Sequence, residues 1–149
     1  LIIARTDART GLGFDEAVRR GQAYAEAGAD VVFVESLQSE EEMREACSLI
    51  RAPLIANMSD GGKTPIRSVN ELKALGYRLA IWPAMAALSA SYAMEHAMRN
   101  LKENGTSLGD GPSLFSFDEL CKMVGFGAVW QFEGRWKDVL EKREDKASS

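Results

Sequence analysis

The sequence predicts an α/β fold built on a parallel sheet, and three observations support it. Four short apolar runs lack the alternation of polar and apolar residues that marks a sheet with one wet face. Helical patterns separate these runs, and successive runs begin roughly 20 to 30 residues apart, which is the length of a βα unit. The runs are residues 1–4, 31–34, 53–56 and 79–82. We therefore expect four parallel strands, each covered on both faces.

Two architectures fit four βα units. A barrel of eight such units takes about 250 residues, or roughly 30 per unit, so four units would form half of one. A complete doubly wound sheet is the alternative, and it would need no further units. The chain of 149 residues opens on Leu1-Ile2-Ile3-Ala4, an apolar run without Met or a polar lead. This start predicts that the chain begins inside a fold.

Helices are predicted between and after the strands from 3.6-residue periodicity and from capping residues. The first ends near Gly28, and the fourth covers about residues 85–104. The second and third begin at the capping boxes of Ser39 and Ser68, each with Glu three positions on. The residues that carry these patterns are Phe14, Ala17, Val18, Gly21, Tyr24, Ala25, Met43, Ala46, Cys47, Ile50, Leu72, Leu75, Leu88, Tyr92 and Met98.

The pattern changes after residue 104, so we predict two regions, 1–104 and 105–149. A loop rich in Gly and Pro, including Gly111 and Pro112, is followed by a helix capped by Ser116 and by an aromatic segment. The large apolar residues of this segment are Phe126, Trp130, Phe132, Trp136, Val139 and Leu140. Such a region packs either on its own domain or on another subunit, because Trp and Phe are favoured in interface cores. Both interpretations stay open from the residues alone.

Charge and composition exclude several classes of partner. The formal charge is -4 and the basic residues are scattered, so no stripe is available for a nucleic acid backbone. Every apolar run is shorter than the ~20 residues that span a bilayer, and no leader pattern opens the sequence. Two cysteines, Cys47 and Cys121, make neither a disulfide framework nor a zinc motif. We expect a cytoplasmic protein that binds neither membranes nor nucleic acid.

Three polar residues end the first three apolar runs and are the main candidates for a binding site. Arg5, Glu35 and Asn57 occupy these positions, and in parallel α/β folds the carboxyl ends of the strands build the site. The guanidinium of Arg5 suits a carboxylate or a phosphate. It could equally form an internal salt bridge with Glu35 or Asp7, and both arrangements can coexist. Asn57 could serve a ligand or cap a turn.

The loop after the third run carries further candidates. Gly62-Lys63-Thr64 resembles the end of a phosphate-binding P-loop, but Asn57 stands where that motif needs Gly, and Pro65 follows Thr64 in place of a helix. We therefore reject a nucleotide-binding P-loop. A mobile loop that brings Ser59, Lys63 or Thr64 to an anionic ligand is the better prediction.

Taken together, these motifs resemble the isocitrate lyase and phosphoenolpyruvate mutase superfamily across residues 1 to about 100. The resemblance rests on Arg5-Thr6-Asp7-Ala8, Val31 to Glu35, and Leu54 to Met58 with the Gly61-Gly62-Lys63-Thr64-Pro65 loop. That loop and the segment Phe115 to Leu120 are most similar to the branch with 2,3-dimethylmalate lyase, petal death protein and enzymes that cleave oxaloacetate. Thr6-Asp7 is similar to the carbon-carbon lyases, whereas the phosphonate mutases have Val-Glu there.

The resemblance implies a fold, a chemistry and an assembly. It implies strands five to eight of a (β/α)8 barrel plus C-terminal helices, with residues 105–149 packed on a neighbouring subunit of a homotetramer. It implies a lyase or decarboxylase that acts on a small 2-hydroxy or 2-oxo dicarboxylate and requires Mg2+, whose ligands lie in the other half of the barrel. Arg5 is then catalytic and contacts substrate together with Glu35, Asn57, Ser59 and Thr64. The alternatives are a phosphonomutase and a half-barrel without catalysis.

Overall fold

The computed structural model describes residues 1–109 and 114–147. Gly111 and Pro112 of the predicted loop lie outside these residues. The chain divides into two compact units, Leu1–Met94 and Glu95–Ser149. The first unit contains the sheet and all candidate site residues.

The strands of the described residues are parallel and lie side by side in the order in which they occur along the chain. They are β1 (Ile3–Thr6), β2 (Val31–Val34), β3 (Ile55–Asn57) and β4 (Leu79–Ile81). β1 pairs with β2 and β3 pairs with β4. The two pairs are joined by the backbone of Val32, which bridges to Leu54 and donates to the Pro53 carbonyl at 2.9 Å. A doubly wound sheet reverses its strand order at a switch point, and the described strands do not, so this alternative is wrong.

Helices cover one face of this sheet. Seven helices are present in the described residues: α1 (Ala8–Leu12), α2 (Phe14–Glu26), α3 (Glu40–Leu49), α4 (Val69–Leu75), α5 (Met85–Asn104), α6 (Phe117–Met123) and α7 (Phe126–Ala147). α2, α3 and α4 pack against Val32, Val34, Leu54 and Ala56 in the main core. Val31, Phe33 and Ile55 form a separate buried cluster on the opposite face. In a (β/α)8 barrel, one face of the sheet packs against helices and the other faces the barrel interior. The sheet has this arrangement, and the prediction of half a (β/α)8 barrel is confirmed.

Local sequence explains where the helices begin and end. The Ser68 hydroxyl accepts from the Glu71 amide while Glu71 accepts from the Ser68 amide, which is a complete capping box at the start of α4. At α3 the predicted box is only half formed. Ser39 accepts from the Glu42 amide, but the Glu42 carboxylate bonds to the amide of Gln38 instead of Ser39. The short helix α1 was not predicted by the sequence patterns.

Burial corrects two further predictions. β2 is buried along its whole length, but Ile3 of β1 and Leu79 and Ile81 of β4 are exposed, so only the central strands are covered on both faces. α5 has the predicted bounds yet no buried residue, and its Leu88 and Tyr92 are more than half exposed. The apolar stripe of α5 therefore does not join the core formed by α2, α3 and α4.

The second unit contains the end of α5 together with α6 and α7. Ser116 caps the start of α6 as predicted, because its hydroxyl accepts from the Glu119 amide, and Cys121 is the buried residue of this helix. On α7 the aromatic rings pair along the helix, Phe126 with Trp130 and Phe132 with Trp136.

Within the part of the chain that the structure describes, no helix combines the length and the apolar character needed to cross a membrane.

Gly76 offers a matched test of the packing between α3 and α4. It ends α4 with φ of 111°, and a Cβ there would lie 2.9 Å from the Cys47 Cβ. Gly28 has a similar φ of 97°, and a Cβ at that position would have nothing within 4 Å. Both Ala substitutions carry the backbone cost of a left-handed residue, but only Gly76→Ala adds a steric clash. We expect Gly76→Ala to lower the free energy of unfolding by about 1 kcal/mol more than Gly28→Ala in urea denaturation; equal losses would contradict this packing.

Candidate functional site

Three side chains from three successive strand ends meet at the carboxylate of Glu35. The Asn57 Nδ2 donates a hydrogen bond to Glu35 Oε2 at 3.2 Å, and Arg5 Nη2 lies 3.4 Å from the same oxygen. The Glu35 side chain is 20% exposed. The structure thus brings together the three residues that the sequence placed at the ends of the apolar runs.

Strand geometry explains why these residues meet. Parallel pairing places Arg5 beside Phe33, and Glu35 follows Phe33 by two residues, so the three side chains share one face of the sheet. Asn57 follows Ile55 by two residues on the same face as the Phe33 cluster. This is the face opposite to the helices. The cluster therefore lies at the carboxyl edge of the face that lines a barrel interior.

Arg5 is held from three sides. Its Nε and Nη2 donate to the two carboxylate oxygens of Asp7 at 3.0 and 2.8 Å, its Nη2 faces Glu35, and its guanidinium carbon lies 4.8 Å from the centre of the Phe33 ring. The hydrogen bonds with Asp7 raise the pKa of Arg5 and, reciprocally, lower the pKa of Asp7. The internal salt bridges that the sequence allowed are both present. The Arg5 side chain is 48% exposed, so it remains accessible to a ligand.

Asn57 presents an unused acceptor at this cluster. A carboxylate can only accept hydrogen bonds, so the amide must turn its nitrogen toward Glu35. This leaves Asn57 Oδ1, which is buried and has no hydrogen-bond partner among the described residues. Buried polar atoms are normally satisfied, and a hydroxyl or water donor would satisfy this one.

The loop after β3 is shaped by a tight turn. The Gly62 amide donates to the Ser59 carbonyl at 2.9 Å, and Gly61 between them has φ of 76°, which a turn of this kind reserves for Gly. Lys63 Nζ reaches the Thr10 hydroxyl of α1 at 3.4 Å. Within the described part of the chain, the hydroxyls of Ser59 and Thr64 form no hydrogen bond to Arg5, Glu35 or Asn57. Their predicted substrate contacts remain predictions.

A second ion pair braces the loops next to the site. Arg9 of α1 donates through Nε and Nη2 to the two oxygens of Glu42 at 2.9 and 2.6 Å, and Nη2 also reaches Gln38 Oε1 at 3.3 Å. Glu42 is thereby drawn away from Ser39, which explains the incomplete capping box. The pair ties the segment after β1 to the start of α3. The sequence patterns gave no indication of this contact because its partners are 33 residues apart.

This brace predicts a dependence of stability on pH. The hydrogen bonds from Arg9 lower the pKa of Glu42 below its ordinary value of 4.5. A lowered pKa in the folded state means that the stabilisation is complete above the ordinary value and is lost as pH falls through the lowered one. We expect Glu42→Gln to flatten the decline in unfolding free energy between about pH 6 and about pH 3, measured by urea denaturation. Glu26→Gln, on α2, is the control, and an equal effect of both variants would contradict the prediction.

Among the described residues, no group of three or more His, Cys, Asp or Glu side chains is placed to bind a metal ion. The two acids at the cluster, Asp7 and Glu35, are both engaged by Arg5. The cluster therefore offers a half-exposed guanidinium, held by two carboxylates, and the unpaired acceptor Asn57 Oδ1.

The parallel sheet, with a polar cluster at the carboxyl ends of its strands, places this protein in the class of (β/α)8-barrel proteins. The family model described as phosphoenolpyruvate phosphomutase matches residues 1–102. The chain belongs to this family, within the phosphoenolpyruvate mutase/isocitrate lyase superfamily, and the resemblance drawn from the motifs is confirmed.

Two relatives and one solved structure illustrate the match. The chain is 39% identical to 2-methylisocitrate lyase of Aeropyrum pernix, over 97% of this chain and 46% of that protein. It is 41% identical to 2,3-dimethylmalate lyase of Eubacterium barkeri, over 89% of this chain and 46% of the relative. A crystal structure of 2,3-dimethylmalate lyase superposes with a TM-score of 0.80 at 34% identity, over 91% of this chain and 48% of that one. The chain thus spans about half the length of the relatives it matches.

Proposed function

We propose that the full-length protein is a cytoplasmic, Mg2+-dependent carbon-carbon lyase or decarboxylase that acts on a small 2-hydroxy or 2-oxo dicarboxylate. The observation that carries the proposal is the meeting of Arg5, Glu35 and Asn57 at one carboxylate oxygen. Relatives that are 39% and 41% identical are named for the cleavage of 2-methylisocitrate and 2,3-dimethylmalate. Both compounds are dicarboxylic or tricarboxylic 2-hydroxy acids, which suits an arginine at the site.

The chemistry assigns distinct tasks to these residues. For a 2-hydroxy acid, a base removes the proton of the hydroxyl, whose oxygen forms the C=O bond of the released 2-oxo acid as the carbon-carbon bond breaks. The electron pair of the broken bond passes to the other fragment as an enolate, which then takes a proton. For oxaloacetate, the bond to the leaving carboxylate breaks, carbon dioxide is released, and the electron pair forms the pyruvate enolate, which likewise takes a proton. Arg5 binds a substrate carboxylate and neutralises the charge that develops next to it. Glu35 orients Arg5 and Asn57, and Asn57 Oδ1 accepts from a substrate hydroxyl. Ser59 and Thr64 contact the substrate when the loop after β3 closes over it.

Mg2+ supplies charge stabilisation for an enolate when it is bound. Since the described residues provide no set of metal ligands, we propose that the ligands come from a part of the protein other than these residues. Removal of divalent cations by EDTA is therefore expected to abolish turnover in the full-length protein, and added Mg2+ to restore it. Turnover that persists after EDTA treatment would refute the metal requirement alone.

The proposal is tested by substrate screening of the full-length protein. We expect Mg2+-dependent release of pyruvate or another 2-oxo acid from 2,3-dimethylmalate or 2-methylisocitrate, or of carbon dioxide from oxaloacetate. Conversion of a phosphonate without any such release would support the phosphonomutase alternative. Thr6-Asp7 makes us favour the lyase, because the phosphonate mutases have Val-Glu at this position. Binding of these acids without turnover of any substrate would support the alternative in which the protein binds anions but does not catalyse.

We also propose that the assembly is a homotetramer in which residues 105–149 pack on a neighbouring subunit. The exposure of large apolar side chains supports it: on α6 and α7 they include Phe117, Met123, Phe126, Trp130 and Trp136. A mass of four subunits by light scattering is expected for the full-length protein. Trp130→Glu is expected to shift that mass to smaller species, and an unchanged tetramer would exclude Trp130 from the interface.

A further inference from the structure

Ser36 has an unusual backbone for its residue type. Its φ is 62°, and among the described residues it is the one non-glycine residue with positive φ. A left-handed residue with a Cβ costs roughly 1–2 kcal/mol, and such residues gather at functional sites. The turn is fixed on both sides, because the Glu35 amide donates to the Thr6 carbonyl at 3.0 Å and Leu37 is buried. Gly would fit this turn without strain, which directs attention to what the Ser36 side chain contacts.

The Ser36 hydroxyl contacts the Glu35 carboxylate. Its Oγ donates to Glu35 Oε1 at 3.2 Å, while Glu35 Oε2 receives Asn57 and faces Arg5. One oxygen is thus held from the turn and the other from the two neighbouring strand ends. With both oxygens held, the carboxylate has one orientation. That orientation positions the amide of Asn57 and adds a third contact to the two, with Asp7 and Phe33, that hold the guanidinium of Arg5.

We infer that Ser36 is a positioning residue: its hydroxyl orients Glu35 so that Arg5 and Asn57 are held ready for the substrate. This inference rests on the proposed function for its kinetic consequences. The strained turn brings the hydroxyl to Oε1, and a residue at this position with a relaxed backbone but no hydroxyl would lose the orientation. The effect on substrate is indirect, since it acts through Glu35.

Three substitutions in the full-length protein separate the hydroxyl from the backbone. Ser36→Ala removes the hydroxyl, Ser36→Gly removes it and relieves the strain, and Ser36→Thr keeps it while adding strain from a β-branched side chain. We expect Ser36→Ala and Ser36→Gly to raise KM about three- to tenfold, with a smaller fall in kcat because Arg5 also neutralises developing charge. Ser36→Thr should retain the KM of the wild type. Thermal stability should run the other way, with Ser36→Gly the most stable variant and Ser36→Thr the least.

The comparison of KM with thermal stability is decisive. If Ser36 had a purely structural role, the least stable variant, Ser36→Thr, would have the highest KM, whereas we expect it to retain the KM of the wild type. If Ser36→Gly retains the KM of the wild type, the inference is overturned. Crystal structures of full-length wild type and Ser36→Ala provide a measure that is independent of turnover. A longer distance from Glu35 Oε2 to Asn57 Nδ2 or to Arg5 Nη2 in the variant supports the inference, and an unmoved carboxylate overturns it. If no acid is turned over, the proposed function fails, and the Glu35 position alone still decides the role of Ser36.

Discussion

Replacement of Arg5 by alanine is expected to lower kcat/KM of the full-length protein at least about 30-fold, equivalent to a loss of about 2 kcal/mol in transition-state binding. The variant loses the cation that binds a substrate carboxylate. It also leaves Asp7 and Glu35, which both contact Arg5 in the structure, without a counter-charge. Two uncompensated acids would repel an anionic substrate, so the loss exceeds that of a single neutral hydrogen bond.

The controls separate charge, geometry and position. Arg5→Lys keeps the charge but not the planar fork that serves Asp7 through two nitrogens, and we expect an intermediate loss. Arg19→Ala removes an exposed arginine that pairs with Glu16 on α2, and it should leave kcat/KM unchanged. Unchanged turnover in Arg5→Ala would remove Arg5 from the site. An equal loss in Arg19→Ala would point to a general effect of lowering the positive charge.

The second large effect is expected on stability. Leu72 of α4 is 2% exposed and belongs to the core that joins α2, α3 and α4 to the sheet. Leu72→Ala deletes buried methyl groups and leaves a cavity, which costs about 2–5 kcal/mol of unfolding free energy. Val69→Ala, one turn earlier on the same helix, is the matched control, because Val69 is 65% exposed. Its effect should stay within about 0.5 kcal/mol.

Urea denaturation followed by circular dichroism measures both variants. The transition of Leu72→Ala should move to lower urea with an unchanged slope, since the amount of surface exposed on unfolding is nearly the same. Coincident midpoints for Leu72→Ala and Val69→Ala would contradict the packing of α4 on the sheet.

The candidate site shows which parts of a site are visible in a sequence. Arg5, Glu35 and Asn57 each follow an apolar run, and the rule that parallel strands present their carboxyl ends at one edge was enough to predict that they meet. Ser36 and Arg9 were missed. No pattern distinguishes a serine in a left-handed turn, and the bond from Arg9 to Glu42 joins residues far apart in the chain.

The apolar patterns also overestimated burial. The stripe of α5 has the periodicity of a core helix, yet its Leu88, Tyr92 and Met98 are exposed. Periodicity shows that a helix has an apolar face, but it does not show what covers that face. The same limit applies to β1 and β4. Both have the composition of buried strands, yet Ile3, Leu79 and Ile81, on the face opposite to the helices, are exposed in this chain.

By itself, the sequence determined the fold class, the order of the elements and the strand ends that carry the polar residues, because these follow from local periodicity, caps and chain direction. The tertiary structure decided the strand order that excludes a doubly wound sheet and the sharing of one Glu35 oxygen by Arg5 and Asn57. It also decided the strained turn at Ser36. These features depend on distances between residues that are remote in the chain, or on a backbone angle held by its surroundings, and local patterns contain neither.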